Sequence, residues 1–103
     1  MISILMAVSL VASAAEANTF VYGIGSETCA DAHDPERTLE RQIWTMGYWS
    51  GLNAANKTKV GKDDPVFLIF ELVERHCLRD PDKSLMQAVL DVWNVMHAGT
   101  EVT

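Results

Sequence analysis

The sequence predicts an all-α domain, a small orthogonal bundle of three main helices plus a short N-terminal helix, closed by one disulfide. Apolar residues recur at helical spacing in three segments, and turns with helix-start residues separate them. The 103 residues, 49% hydrophobic and 21% charged, suffice for one compact domain. We therefore expect strands to be minor or absent.

An uncharged apolar run at residues 2–15 is typical of the core of a signal sequence, because it is too short to span a bilayer comfortably. Small residues follow at signal-peptidase spacing, so we expect residues 1–17 to be a signal peptide, cleaved after Ala14 or Ala17. No Lys or Arg precedes the run, and a first core helix is the alternative. Export would place a single helical domain, residues 18–103, in the periplasm or outside the cell.

Cys29 and Cys77 are predicted to form a structural disulfide, because two cysteines in a small exported domain usually pair. Closing a loop of about 48 residues would stabilise the domain by roughly 4 kcal/mol. A reactive thiol or a metal site is the alternative. However, His76 beside Cys77 would point in a different direction on a helix, and there is no Cys-x-x-Cys pair.

The first elements of the domain are predicted to be short. Residues 18–28 are expected to be extended or irregular, because Gly23 and Gly25 interrupt a β-favouring stretch. A short helix is expected over residues 26–32, around the first cysteine, with Ser26 as its cap.

A long helix is predicted from Asp34 to about Ala54 or Ala55, because Asp34 can cap it and Pro35 suits its first turn. Five residues fall on one face at helical spacing: Leu39, Ile43, Met46, Gly47 and Ser50. Gly47 and Gly51 lie one turn apart, and we expect them to allow close approach of another backbone.

After a polar connector at residues 53–62, Asp63-Asp64-Pro65 repeats the helix-start chemistry. The next helix, Val66 to Leu78, is apolar around much of its circumference. A helix of this kind is usually surrounded by others, so we predict that it is the central one.

The last helix is predicted to begin at about Lys83 or Ser84, after a turn at residues 80–82, and to end at Met96. Its apolar stripe consists of Leu85, Ala88, Val89, Val92, Trp93 and Met96. Gly99 is expected to end it, because glycine adopts left-handed backbone angles without steric cost.

The sequence carries no pattern typical of catalysis. Gly23 and Gly25 do not follow a convincing strand, so no dinucleotide site is expected, and no Gly-x-Ser-x-Gly elbow with triad partners is present. The acidic pairs lie at helix starts, where capping explains them. We therefore predict a protein that is not an enzyme, with no catalytic residues, no cofactor and no metal site.

Trp44, Tyr48 and Trp49 are the candidate partner-binding residues, because tryptophans often anchor protein interfaces. Core packing is the alternative for Trp44 and Trp93. Trp49 lies off the main apolar face and is the best candidate among them for an exposed contact residue. The formal charge of −6 argues against nucleic acid and anionic membranes as partners and is compatible with cationic proteins.

The region after the apolar run resembles the HdeA/HdeB acid-stress chaperones of the bacterial periplasm. The resemblance rests on Thr28-Cys29 ahead of a short helix and on the run from His76 to Leu85, HCLRDPDKSL. It implies a homodimer that is folded at neutral pH and that opens in acid to bind unfolded clients. Protonating the carboxylates would leave 8 Lys and Arg and 3 His residues positive, and self-repulsion would then destabilise the compact state.

The same region also resembles type VI secretion immunity proteins of the Rap/Tai group. This resemblance rests on the helical motif Gly47-Tyr48-Trp49-Ser50-Gly51, followed by Pro81 in a turn and Ala88 in the last helix. It implies a periplasmic protein that binds and blocks an incoming cell-wall hydrolase. The predicted partner is thus a protein, either an unfolded client or a toxin, and no membrane span is expected after processing.

Overall fold

The computed structural model describes residues 20–99, so the predicted signal peptide lies outside the described residues. Four α-helices follow one another in this part: α1 Cys29–Ala32, α2 Thr38–Asn56, α3 Val66–Arg79 and α4 Leu85–His97. Short 3-10 turns at Gly23–Ser26 and Pro35–Arg37 precede α1 and α2. Residues 20–99 contain no strand, and an isolated bridge joins Thr28 to Ser84. The predicted all-α fold, three main helices and a short first one, is confirmed.

Three of the helical segments begin at side-chain caps. Thr28, Asp34 and Ser84 each accept a hydrogen bond from a backbone N–H two or three residues further on, at 2.9 to 3.2 Å. The prediction that Ser26 caps the short helix is wrong, because Ser26 ends the preceding 3-10 turn. α3 follows Pro65 without a side-chain cap.

α4 is the central helix of the domain. It packs against α1, α2, α3 and the first 3-10 turn, and its Leu85 and Val89 have no exposed surface. The prediction that residues 66–78 form the central helix is wrong, because Phe67 and Leu78 are 65% and 76% exposed. α3 packs against α1 and α4, but its side with Phe67 and Leu78 is left exposed.

The disulfide between Cys29 and Cys77 joins α1 to the end of α3, with the two Cα atoms 5.2 Å apart. Both cysteines are buried, which confirms the predicted pairing. Main-chain hydrogen bonds reinforce the junction: the Cys29 N–H donates to the Lys83 carbonyl, and the Leu85 N–H donates to the Glu27 carbonyl at 2.9 Å. The N-terminal segment is therefore fixed to the start of the central helix.

The first 3-10 turn packs its backbone against the indole of Trp44. A Cβ atom added to Gly25 would overlap Cζ2 of this ring. The ring is held in place, because its Nε1 donates to the Tyr22 carbonyl at 2.9 Å and its face stacks on Tyr48 with centroids 5.0 Å apart. Gly25 is needed here for close approach.

We expect Gly25→Ala to lower the free energy of unfolding by about 2 kcal/mol, because the added methyl group must displace the Trp44 ring. Gly47→Ala is the matched control, because a Cβ there meets no atom of another segment within 4 Å in the described part of the chain. Alanine favours a helix over glycine, so the control is expected to gain roughly 0.8 kcal/mol. Urea unfolding followed by tryptophan fluorescence measures both, and equal stability of Gly25→Ala and wild type would contradict the packing.

Candidate functional site

The aromatic residues singled out from the sequence do not form one exposed contact surface. Trp49 is 6% exposed, and its Nε1 donates to the Val60 carbonyl at 2.8 Å. Trp49, the candidate for an exposed contact residue, is therefore buried instead, because α2 turns this side toward the core. Trp44 and Tyr48 are half-buried and pack against the core cluster, while Trp93 is buried within it.

The exposed apolar surface lies on the other side of α2. Leu39, Ile43 and Met46 are 70%, 62% and 48% exposed, and Gly47 and Ser50 beside them are exposed as well. We call these five residues the outer face of α2. Residues three and four apart on a helix are neighbours, so this face is continuous and carries no charge. A continuous exposed apolar surface marks an interaction site, whereas single exposed apolar residues are common.

The outer face continues across a hollow to the start of α3. This hollow, about 100 Å³ in volume, is lined by Thr45, Met46, Trp49, Ser50, Val66 and Ile69. Val66 and Phe67, 44% and 65% exposed, carry the apolar surface onto α3. No other segment within residues 20–99 approaches Gly47 or Gly51 to 4 Å, so the expected close backbone approach is absent there.

A polar cluster on α4 ties three parts of the chain together. Asp91 accepts hydrogen bonds from Lys83 Nζ at 2.8 Å and from Gln87 Nε2 at 3.0 Å, and it lies 3.0 Å from His76 Nε2. Burial raises the pKa of Asp91, but the hydrogen bonds from Lys83 and Gln87 and the Lys83 charge outweigh it. The pKa of this carboxyl therefore lies below its usual value, and the carboxylate links α3, the turn and α4.

A second ion pair ties the N-terminal segment to α2. The guanidinium of Arg37 makes two hydrogen bonds to the Glu27 carboxylate and also contacts Glu40. These hydrogen bonds lower the pKa of Glu27. Nearby, His33 is half-buried with its Nδ1 3.0 Å from the Cys29 carbonyl, and burial lowers the pKa of its imidazole.

We expect the domain to lose stability as the pH falls from 7 to 3. Asp91 and Glu27 have lower pKa values folded than unfolded, so they stabilise the domain above the unfolded value of about 4. This stabilisation is lost as the pH falls through the folded pKa. His33 acts in the same direction from about pH 6.5 downward, because the unfolded chain takes up its proton first.

The measurement is the urea midpoint at pH 7, 5 and 3. Asp91→Asn removes the titrating carboxylate of the cluster, so its midpoint should change less between pH 5 and 3 than that of wild type. Asp64→Asn is the control, because Asp64 is exposed and makes no ion pair within residues 20–99. Parallel profiles for Asp91→Asn and wild type would contradict a role of Asp91.

The described side chains do not assemble a recognisable reaction centre. The His76–Asp91 contact has the form of an oriented imidazole, but Lys83 and Gln87 surround it instead of a nucleophilic hydroxyl or thiol. Residues 20–99 hold no cluster of three His, Cys, Asp or Glu side chains placed for a metal ion. Nor does any helix in that range have the length and apolarity to cross a membrane. The outer face of α2 offers apolar contact surface to a partner.

Comparison with known proteins identifies no relative: no family model, curated protein or solved structure matches the chain. The two periplasmic resemblances therefore rest on short motifs. Thr28-Cys29 forms the cap and first residue of α1, and residues 76–85 form the end of α3 and the turn into α4. Residues 47–51 lie on α2, with both glycines exposed.

The exposed apolar residues of α3 were not predicted from the sequence. Phe67, Glu71, Glu74 and Leu78 fall on one side of this helix, at spacings of three and four residues. The two glutamates on that side are the signal that identifies it as the outer one. Because α3 is apolar on its other sides as well, its overall hydrophobicity does not distinguish the exposed side from the buried one.

Proposed function

We propose that this protein is a non-enzymatic, exported protein-binding protein that protects client proteins in acid, as the resemblance to the HdeA/HdeB chaperones implies. The observation that carries the proposal is the uncharged outer face of α2, which continues onto Val66 and Phe67. An apolar surface of this kind binds the exposed apolar side chains of an unfolding protein without requiring a particular sequence.

Acid would enlarge the binding surface. The carboxylates of Asp91 and Glu27 hold α3, α4 and the N-terminal segment together, and both lose their charge at low pH. Loosening these ties would expose core residues such as Val73 and Val92, both nearly fully buried in the closed domain. The disulfide does not titrate, so it would limit how far the chain opens.

The test is suppression of aggregation of citrate synthase at pH 2.5 and after neutralisation, followed by light scattering. We expect wild type to suppress scattering in acid and the double variant Ile43→Ser/Met46→Ser to suppress it less. Val95→Ser on α4 is the control, since it also replaces an exposed apolar residue, 37% exposed, away from the outer face. An absence of protection by wild type would overturn the proposal.

The second candidate function is an immunity protein that binds and neutralises a cell-wall-degrading effector. The same apolar surface would serve it, but the two functions differ in the pH at which binding is required. An immunity protein must form a stable complex with one folded enzyme at neutral pH, whereas a chaperone of this kind binds many clients in acid. Protection confined to acid therefore favours the chaperone, and inhibition of a hydrolase at pH 7 favours immunity.

A further inference from the structure

A second hollow, away from the outer face of α2, lies over the disulfide. It has a volume of about 440 Å³; Cys29 and Cys77 line it, and Ala30, Leu78 and Pro81 are its other apolar residues. Leu78 is 76% exposed, although it extends from a helix that packs against the core. Such an exposed leucine beside a concave apolar surface is the arrangement that receives apolar side chains of a partner.

One exposed carboxylate lines this hollow and three more lie next to its lining residues in the chain. Glu74 lines it directly, Asp31 follows Ala30, and Asp80 and Asp82 flank the proline of the turn. The Ala30 N–H donates to the carbonyl of that proline at 3.0 Å, so α1 and the turn lie side by side at the hollow. No residue within 20–99 forms an ion pair with any of the four.

Three cationic side chains lie near this hollow. Lys83 is bonded to the Asp91 carboxylate, Arg79 lies 3.4 Å from His76, and Arg41 donates to the Ala32 carbonyl at 2.9 Å and is attracted by the Glu74 carboxylate. Burial lowers the pKa of His33, which also lines the hollow, and so favours its neutral imidazole. The four carboxylates outnumber Arg41 and Arg79, so the surroundings of the apolar hollow are negative on balance.

The hollow continues as a groove along α3. A neighbouring hollow of about 250 Å³ shares His33 and Glu74 with it, and Arg41, Phe67, Phe70 and Val73 also line it. Phe67 and Leu78 are 11 residues apart on α3, so the two hollows together extend for about 17 Å along this helix. A groove of this length accommodates a peptide segment with several side chains in contact.

We propose that the groove along α3, from Leu78 to Phe67, binds an amphipathic, positively charged segment of another protein at neutral pH. The apolar side chains of that segment would pack against Leu78 and Phe67. Its Lys or Arg side chains would face Glu74 and the neighbouring aspartates of α1 and the turn. This goes beyond the acid function, which uses the outer face of α2. The charge pattern selects the partner, because an acidic segment would meet like charges.

The test uses two fluorescein-labelled 14-residue peptides and the protein expressed from the full sequence, at pH 7. One peptide is an amphipathic design of leucine and lysine, and the other carries glutamate in place of every lysine. Fluorescence anisotropy should show saturable binding of the lysine peptide only. Raising NaCl from 50 to 500 mM should weaken it about tenfold, because salt screens exposed charges. Equal binding of both peptides, or no binding of either, would overturn the proposal.

Variants locate the binding site on the groove. We expect Leu78→Ser to weaken binding of the lysine peptide about tenfold, because Leu78 provides apolar contact area. Glu74→Gln should weaken it about threefold, because it removes one exposed charge at the edge of the groove. Ile43→Ser and Val95→Ser are controls with exposed apolar residues outside the groove, and they should bind as wild type does. Circular dichroism verifies that each variant is folded. Loss of binding in Ile43→Ser but not in Leu78→Ser would assign the peptide to the outer face of α2 and refute the proposal.

Discussion

Replacing both cysteines by alanine, Cys29→Ala together with Cys77→Ala, is expected to lower the free energy of unfolding by about 4 kcal/mol. The disulfide closes a loop of 48 residues, and without it the unfolded chain gains the conformational freedom of that loop. Because a domain this small has a modest total stability, the variant should be partly unfolded at 37 °C. Alanine is preferable to serine here, since a hydroxyl at these buried positions would lack hydrogen-bond partners.

The measurement is urea unfolding of wild type and variant, each with and without a reducing agent. The reductant should destabilise wild type nearly as much as the double substitution does, and it should leave the variant unchanged. Coincident unfolding curves of wild type and the double variant would contradict the prediction. The main-chain bonds from Cys29 and Leu85 would then be sufficient to hold the N-terminal segment in place.

Asn53→Ala is expected to lower the free energy of unfolding by about 4 kcal/mol, at roughly 1 kcal/mol for each of the four hydrogen bonds of its partly buried side chain. Its Oδ1 accepts from Trp93 Nε1 at 3.1 Å, from Thr58 Oγ1 at 2.8 Å and from the Val60 N–H at 3.1 Å. Its Nδ2 donates to the Val60 carbonyl. This one side chain thus joins the end of α2, the following loop and the central helix.

Asn56→Ala is the matched control for this substitution. Asn56 lies in the same last turn of α2, is exposed and, among residues 20–99, donates only to the Leu52 carbonyl of its own helix. We therefore expect its stability to remain within about 0.5 kcal/mol of wild type. Equal losses in the two variants would refute the joining role of Asn53, and tryptophan fluorescence during urea unfolding provides the comparison.

The local elements were predictable because the signals that define them are local. Asp34 and Ser84 cap the segments that they precede, and the three long helices begin and end within a few residues of their predicted limits. The pairing of Cys29 with Cys77 was predictable for a different reason, since no other cysteine competes for either of them.

Which side of α2 is buried was not predictable from its periodicity. The helix carries apolar residues on two sides, one with Leu39, Ile43 and Met46 and one with Trp44 and Tyr48, beside which Trp49 lies. Periodicity sets the angle between these sides but does not say which of them faces the core. The second side packs against the core, and Trp49 is its buried member: its Nε1 donates to a carbonyl of the following loop, with Ile69 and Gly61 close by.

The sequence by itself therefore determined the approximate helix limits, the cap at Asp34, the disulfide and the acidic character of this protein, because these depend on neighbouring residues or on composition. Only the tertiary structure decided that α4 is central, that the outer face of α2 is exposed, and that α1, α3 and the turn after α3 line one hollow. The physical reason is that burial depends on what packs against each side of a helix, and segments far apart in the chain supply those neighbours.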